Sequence, residues 1–121
     1  VPGAGGCWFL PRIVGMPKAL ELLFTADFVE AKEALEIGLV NHVFPDDKLM
    51  EETYKLATKI ARRAPISVRL IKRATYQGQN LDITTHLDQI SSHMTIARSS
   101  EDHMEAVNAF LEKRHPVFKG K

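Results

Sequence analysis

The chain has 121 residues and 13.6 kDa, the length of one domain, and should bury roughly two-thirds of the surface it exposes when unfolded. With 45% hydrophobic and 26% charged residues it is globular rather than disordered, and 16 Lys+Arg against 15 Asp+Glu select no polyanionic partner. One cysteine, Cys7, excludes a disulfide framework and a cysteine-rich metal site, and no apolar run approaches the ~20 residues of a membrane span.

The opening Val1-Pro2-Gly3-Ala4-Gly5-Gly6 has neither the basic stretch nor the apolar run of a signal peptide. Its glycines read as a loop where backbone is approached closely, which suggests part of something longer. Gly5 to Val14 predicts a short apolar helix made irregular by Pro11. Pro17 starts a second helix, Lys18 to Phe24, with Ala19, Leu22 and Leu23 on one face. A third spans about Glu30 to Ile37, with Ala31, Ala34 and Leu35 apolar and Gly38 as a left-handed stop. Leu39 to Phe44 alternates and is β-branched, so it predicts the one strand, or an extended segment lying against other structure.

After Pro45 the pattern is helical throughout. Asp46 or Asp47 caps a helix reaching Arg63, with Leu49, Leu56, Ile60 and Ala61 inward. Pro65 starts a helix to about Tyr76 that buries Val68, Leu70, Ile71 and Ala74, and Gly78 ends it. The longest helix, Leu81 to Arg98, sets Ile83, Leu87, Ile90, Met94 and Ala97 along a packing seam. Ser99 caps the last, with Asp102 in a capping-box-like position; Met104, Val107, Phe110 and Leu111 form its inner stripe, and Lys113 and Arg114 its final turn. The fold class is mainly α: a helical bundle over 46–121, preceded over 1–45 by a short segment of α/β character.

No local pattern is catalytic. The glycine-rich opening lacks both phosphate-binding spacings and reads first as a tight turn into a helix, second as a helix N-terminus facing a polar ligand. His86 and His93 share a helix face, while His42, His103 and His115 are scattered, so no metal site is expected. Cys7 lies in apolar text that does not activate a thiol. From Thr53 to Leu81 there are seven cations, Lys55, Lys59, Arg62, Arg63, Arg69, Lys72 and Arg73, and no acid. A solvated face offset by Glu51, Glu52 and Asp82 explains them, and phosphate or RNA binding is the alternative. Glu101, Asp102 and Glu105 fit the dipole of the last helix, and Glu30, Glu33 and Glu36 should be exposed.

The text as a whole resembles the enoyl-CoA hydratase/isomerase (crotonase) family. The likeness rests on Pro2-Gly3-Ala4-Gly5-Gly6, Leu10-Pro11-Arg12-Ile13-Val14-Gly15, Ala19 to Thr25 and Glu33 to Asn41. At the other end it rests on Ala97 to Asp102, Glu105-Ala106, Ala109 to Arg114 and Pro116 to Gly120. The resemblance implies the C-terminal portion of such an enzyme: the tail end of the spiral α/β core over 1–45 and an orthogonal helical domain of trimerisation type over 46–121.

It also implies a function. The family hydrates or isomerises acyl-CoA thioesters, using two glutamates and an oxyanion hole that precede the glycine-rich loop, so no catalytic residue is expected in this chain and it should be inactive alone. Gly3 matches a position near the catalytic water. Phe110 would pack on the acyl or pantetheine region, and Lys113, three residues on along the same face, would attract a coenzyme A phosphate. Met94 stands where some members carry an aromatic. No cofactor is implied beyond coenzyme A as part of the substrate. The partners implied are acyl-CoA and copies of the chain, as a trimer or dimer of trimers, with no membrane and no nucleic acid. The compartment would be the cytoplasm in a bacterium and the mitochondrial matrix in a eukaryote. Cys7-Trp8-Phe9 replaces the Thr-Gln-Arg of many hydratases, which leaves isomerases and hydratases of bulky acyl groups open. A non-catalytic self-assembling helical module is the rival reading. If the chain lacks its core, Trp8, Phe9, Leu10, Leu22 and Leu23 should form an exposed apolar patch.

Overall fold

The computed structural model describes all 121 residues and contains seven helices and no strand. They are α1 (Gly6–Val14), α2 (Met16–Thr25), α3 (Ala31–Glu36), α4 (Asp46–Ala61), α5 (Pro65–Gly78), α6 (Ile83–Arg98) and α7 (Glu101–Leu111). The chain forms two compact units, Val1–Glu52 and Thr53–Lys121, with α4 running through the boundary.

In the first unit α1 packs on α2. The opening glycines are needed where side chains crowd the backbone. Gly5 has φ +84°, and a Cβ there would stand 2.9 Å from the Phe9 ring. A Cβ on Gly6 would stand 2.9 Å from Pro2. Helix α1 continues through Pro11, which removes one amide donor without ending the helix. The guanidinium of Arg12 stacks 3.6 Å from the centre of the Trp8 ring, and its Nη1 donates to the Trp8 carbonyl at 2.8 Å. Lys18 of α2 bridges Glu21 of the same helix and Glu33 of α3, each at 2.7 Å, and these carboxylates hold its ammonium well above the usual lysine range.

The strand expected over 39–44 does not form. A strand needs a neighbour for its amides, and here those of Leu39 and Val40 turn back to the Ala34 carbonyl at 2.8 and 3.2 Å. The turn is set by Gly38 at φ +74°, as the sequence predicts. Helix α4 opens on the Pro45 carbonyl, which takes the amides of Lys48 and Leu49, so Asp46 and Asp47 lie in its first turn rather than at its cap.

In the second unit α5 packs on α6 and α6 on α7. Asp82 caps α6, accepting from the Thr85 amide and hydroxyl, which holds its carboxyl below the usual range. Ser100, not Ser99, caps α7: its Oγ accepts the His103 amide at 3.1 Å, while Ser99 closes α6.

The core is small. Ala19, Ala34, Ala74 and Ala109 are the only buried apolar residues. The stripes expected to face inward are largely exposed: Leu49, Leu56 and Ile60 of α4, Ile71 of α5, Ile83, Leu87 and Met94 of α6, and Met104, Val107, Phe110 and Leu111 of α7. On α6 the half-buried side keeps Ile90 and Ala97 of the expected seam and adds His86, Gln89 and His93. Helical spacing groups the apolar residues on one face but does not say what covers that face. In the first unit Trp8 and Phe9 are exposed as expected, and Leu10, Leu22 and Leu23 are half-buried.

Candidate functional site

The C-terminal end of α7 concentrates the chain's fixed polar geometry. The helix closes in a Schellman turn: the Lys113 amide donates to the Phe110 carbonyl at 3.2 Å and the Arg114 amide to the Ala109 carbonyl at 3.0 Å. That turn requires a left-handed residue, and Lys113 takes the position with φ +55°. Glycine sits there without strain, whereas a side-chain-bearing residue costs roughly 1–2 kcal/mol. Lys113 is therefore outside the helix, not on its last turn in line with Phe110. Its ammonium makes no ion pair, and the Phe110 ring, three residues earlier, is 82% exposed.

The segment after the turn is strapped back along α7. Asp102, 2% exposed, accepts the amides of Lys119 at 2.6 Å and Gly120 at 2.8 Å, and its own amide donates to the Lys121 carbonyl. Burying a carboxylate is favourable only when it is bonded in this way. Glu105 accepts both terminal nitrogens of Arg114, at 2.5 and 2.9 Å, and the Val117 amide at 2.8 Å. The paired guanidinium first, then the Val117 amide, lowers the Glu105 carboxyl to about 2. Arg114 Nε also donates to Glu112 at 2.6 Å, and the two carboxylates raise its guanidinium further above neutrality. Between α7 and the strap lies a recess of about 370 Å³ lined by Glu101, Asp102, Glu105, Val117 and Lys119.

Of the residues selected from the sequence, Phe110 and Lys113 are brought to one helix end. Met94 is on the exposed side of α6, and Gly3 is in the first unit, where a Cβ would meet nothing within 4 Å. Asp102 and Glu105 do more than complement the helix dipole: they anchor the chain that follows. The spacings that link them to residues 117–120 belong to no helical period, so pattern reading could not find them. His86 and His93 both lie on the half-buried side of α6, and a Cβ on Gly78 of α5 would lie 2.8 Å from the His86 ring. No cluster of His, Cys, Asp and Glu is placed to hold a metal ion, and Cys7 is exposed. Arg62, Arg63, Arg69, Lys72 and Arg73 are solvent-facing, and no helix is long and apolar enough to cross a membrane.

Comparison with known proteins places this geometry. The model of the enoyl-CoA hydratase/isomerase family matches residues 1–121. A short-chain-enoyl-CoA hydratase of Clostridium acetobutylicum is 44% identical over 113 residues, 93% of this chain and 43% of the relative. One from Clostridioides difficile is 44% identical over 109 residues, covering 90% of this chain and 70% of the relative. The crystal structure of an enoyl-CoA hydratase from Bacillus anthracis superposes with a TM-score of 0.97 at 40% identity, over all of this chain and 47% of that one. This chain spans a little under half the length of most of the curated relatives it matches.

Proposed function

The chain belongs to the enoyl-CoA hydratase/isomerase family, and on that premise we propose that it is the helical, coenzyme A-clasping part of an acyl-CoA hydratase or isomerase. Phe110 packs on the acyl or pantetheine part of the substrate, Lys113 attracts a coenzyme A phosphate, Met94 adds an apolar wall, and the open backbone at Gly3 leaves room for water. The observation that carries the reading is the pairing of a phenyl ring 82% exposed with an unpaired ammonium, held at one helix end in a conformation lysine rarely adopts. Covering such a ring is worth roughly 1.5–3 kcal/mol, and an ammonium suits a phosphate as a point charge.

The reaction needs a positioned acid and base, and donors for the enolate-like oxygen. Of the carboxylates near α7, Asp102 and Glu105 are committed to the strap. We assign the reacting groups to polypeptide outside these 121 residues, so the chain alone does not turn over substrate. The uncovered apolar faces of α4, α6 and α7 support association with further copies, as a trimer or dimer of trimers. Calorimetric titration with coenzyme A tests the reading. Weak, salt-sensitive binding that falls on Lys113→Ala supports it. Intact assembly without coenzyme A binding favours the self-assembling module instead.

A further inference from the structure

The end of α7 has two ways to continue. Lysine and arginine are good helix formers, so the helix could run on through Lys113 and Arg114 towards Pro116, where no helix can pass unbroken. It stops instead at Leu111, with a lysine in a conformation that glycine favours. Something outside the turn has to select that state.

The strap is placed to do so. Asp102 and Glu105, three residues apart and so on one face of α7, together accept the amides of Val117, Lys119 and Gly120. Gly120, at φ +77°, runs beside the start of α5: a Cβ there would contact the Pro65 ring at 3.7 Å. Arg114 ties Glu105 to Glu112, so its bonds reach both the body of α7 and the residue preceding Lys113. If the helix continued past Leu111, Arg114 and residues 117–120 would be carried away from these acceptors. The strap and the continued helix are alternatives.

We propose that Asp102, Glu105 and Arg114 are positioning residues for coenzyme A recognition: by strapping residues 115–121 along α7 they hold Lys113 in its left-handed conformation and fix its ammonium relative to the Phe110 ring. The proposal rests on the reading that Phe110 and Lys113 meet the substrate. The strap touches no ligand itself. Its contribution is preorganisation, which lowers the ordering cost of binding.

The test is nuclear magnetic resonance on the 121-residue chain, with coenzyme A as the probe. In the unaltered chain the Lys113 carbon shifts should report a left-handed residue, and the Val117, Lys119 and Gly120 amides should exchange slowly. Asp102→Asn should speed exchange at Lys119 and Gly120 by about tenfold or more. Asp102→Asn and Glu105→Gln should each move the Lys113 shifts towards helical values and weaken coenzyme A binding about fivefold, although Lys113 is untouched. Unprotected strap amides or helical shifts at Lys113 in the unaltered chain overturn the proposal, even if a variant does not fold. So does a released strap that leaves the Lys113 shifts unchanged. If Lys113→Ala does not affect coenzyme A affinity, the functional reading fails, while the Lys113 shifts still decide whether the strap sets its conformation.

Discussion

Helices α3 and α7 end in the same turn by different means. In α3 the Leu39 amide reaches the Ala34 carbonyl and the Gly38 amide the Leu35 carbonyl, at 2.8 and 3.2 Å, around a left-handed Gly38. In α7 the Arg114 amide reaches Ala109 and the Lys113 amide Phe110, at 3.0 and 3.2 Å, around a left-handed Lys113. The first stop is chosen by the amino acid, since glycine adopts that conformation without penalty. The second is imposed by carboxylates lying eight and eleven residues earlier in the chain. A local turn made by glycine terminates a helix and does nothing more. The same turn made by lysine places a charge.

That contrast is broken most severely at the strap. Asp102→Ala removes a buried acceptor of two amides and should cost roughly 3 kcal/mol by urea denaturation; a loss under about 1 kcal/mol would mean the strap is not held there. Next, glycine and lysine should trade signs at the two stops. Gly38→Ala should destabilise by roughly 1 kcal/mol through backbone strain alone, since no atom lies within 4 Å of the added carbon. Lys113→Gly should stabilise by up to about 1 kcal/mol while weakening coenzyme A binding. Equal signs at both positions would erase the difference between the stops.

Acid acts on the α7 stop and not on the α3 stop. The Glu105 carboxyl falls from 4.5 to about 2 in the folded chain, so its contribution is complete above the unfolded value and drains away as pH falls towards about 2. The stability gap between the unaltered chain and Glu105→Gln should therefore be widest near neutral pH and close across that window, whereas Gly38→Ala should show no such pH dependence. The smallest effect belongs to Phe110→Ala, which should change stability by less than about 0.5 kcal/mol because the ring is exposed, yet lower coenzyme A affinity.

Much of this was legible in the sequence, for physical reasons that also mark where it stopped. Pro17, Pro45 and Pro65 start helices and Gly38 ends one through strictly local effects, whereas Gly78, expected as a stop, lies within α5 as its last residue, with helical backbone beside the His86 ring; six of the helices fall close to where their residues predict. The strand over 39–44 failed because β-branched alternation signals willingness to pair, not the presence of a partner. The inward faces of α4, α6 and α7 failed for a related reason: Leu49, Leu87 and Phe110 sit at apolar spacing, but nothing in this chain covers them. Phe110 and Lys113 are proposed for the site on their family resemblance. The strap was not legible, because the bonds from Asp102 to Lys119 and Gly120 span 17 and 18 residues and follow no period.

On the function proposed above, the Phe110–Lys113 end of α7 receives coenzyme A. Adding coenzyme A stepwise to the isotope-labelled 121-residue chain, and following every backbone amide, tests it directly. Saturable shifts centred on Phe110, Lys113 and Arg114, lost in Lys113→Ala, are the expected result. Shifts confined to the basic face of Arg62, Arg63, Arg69, Lys72 and Arg73, or none at any concentration, would contradict it.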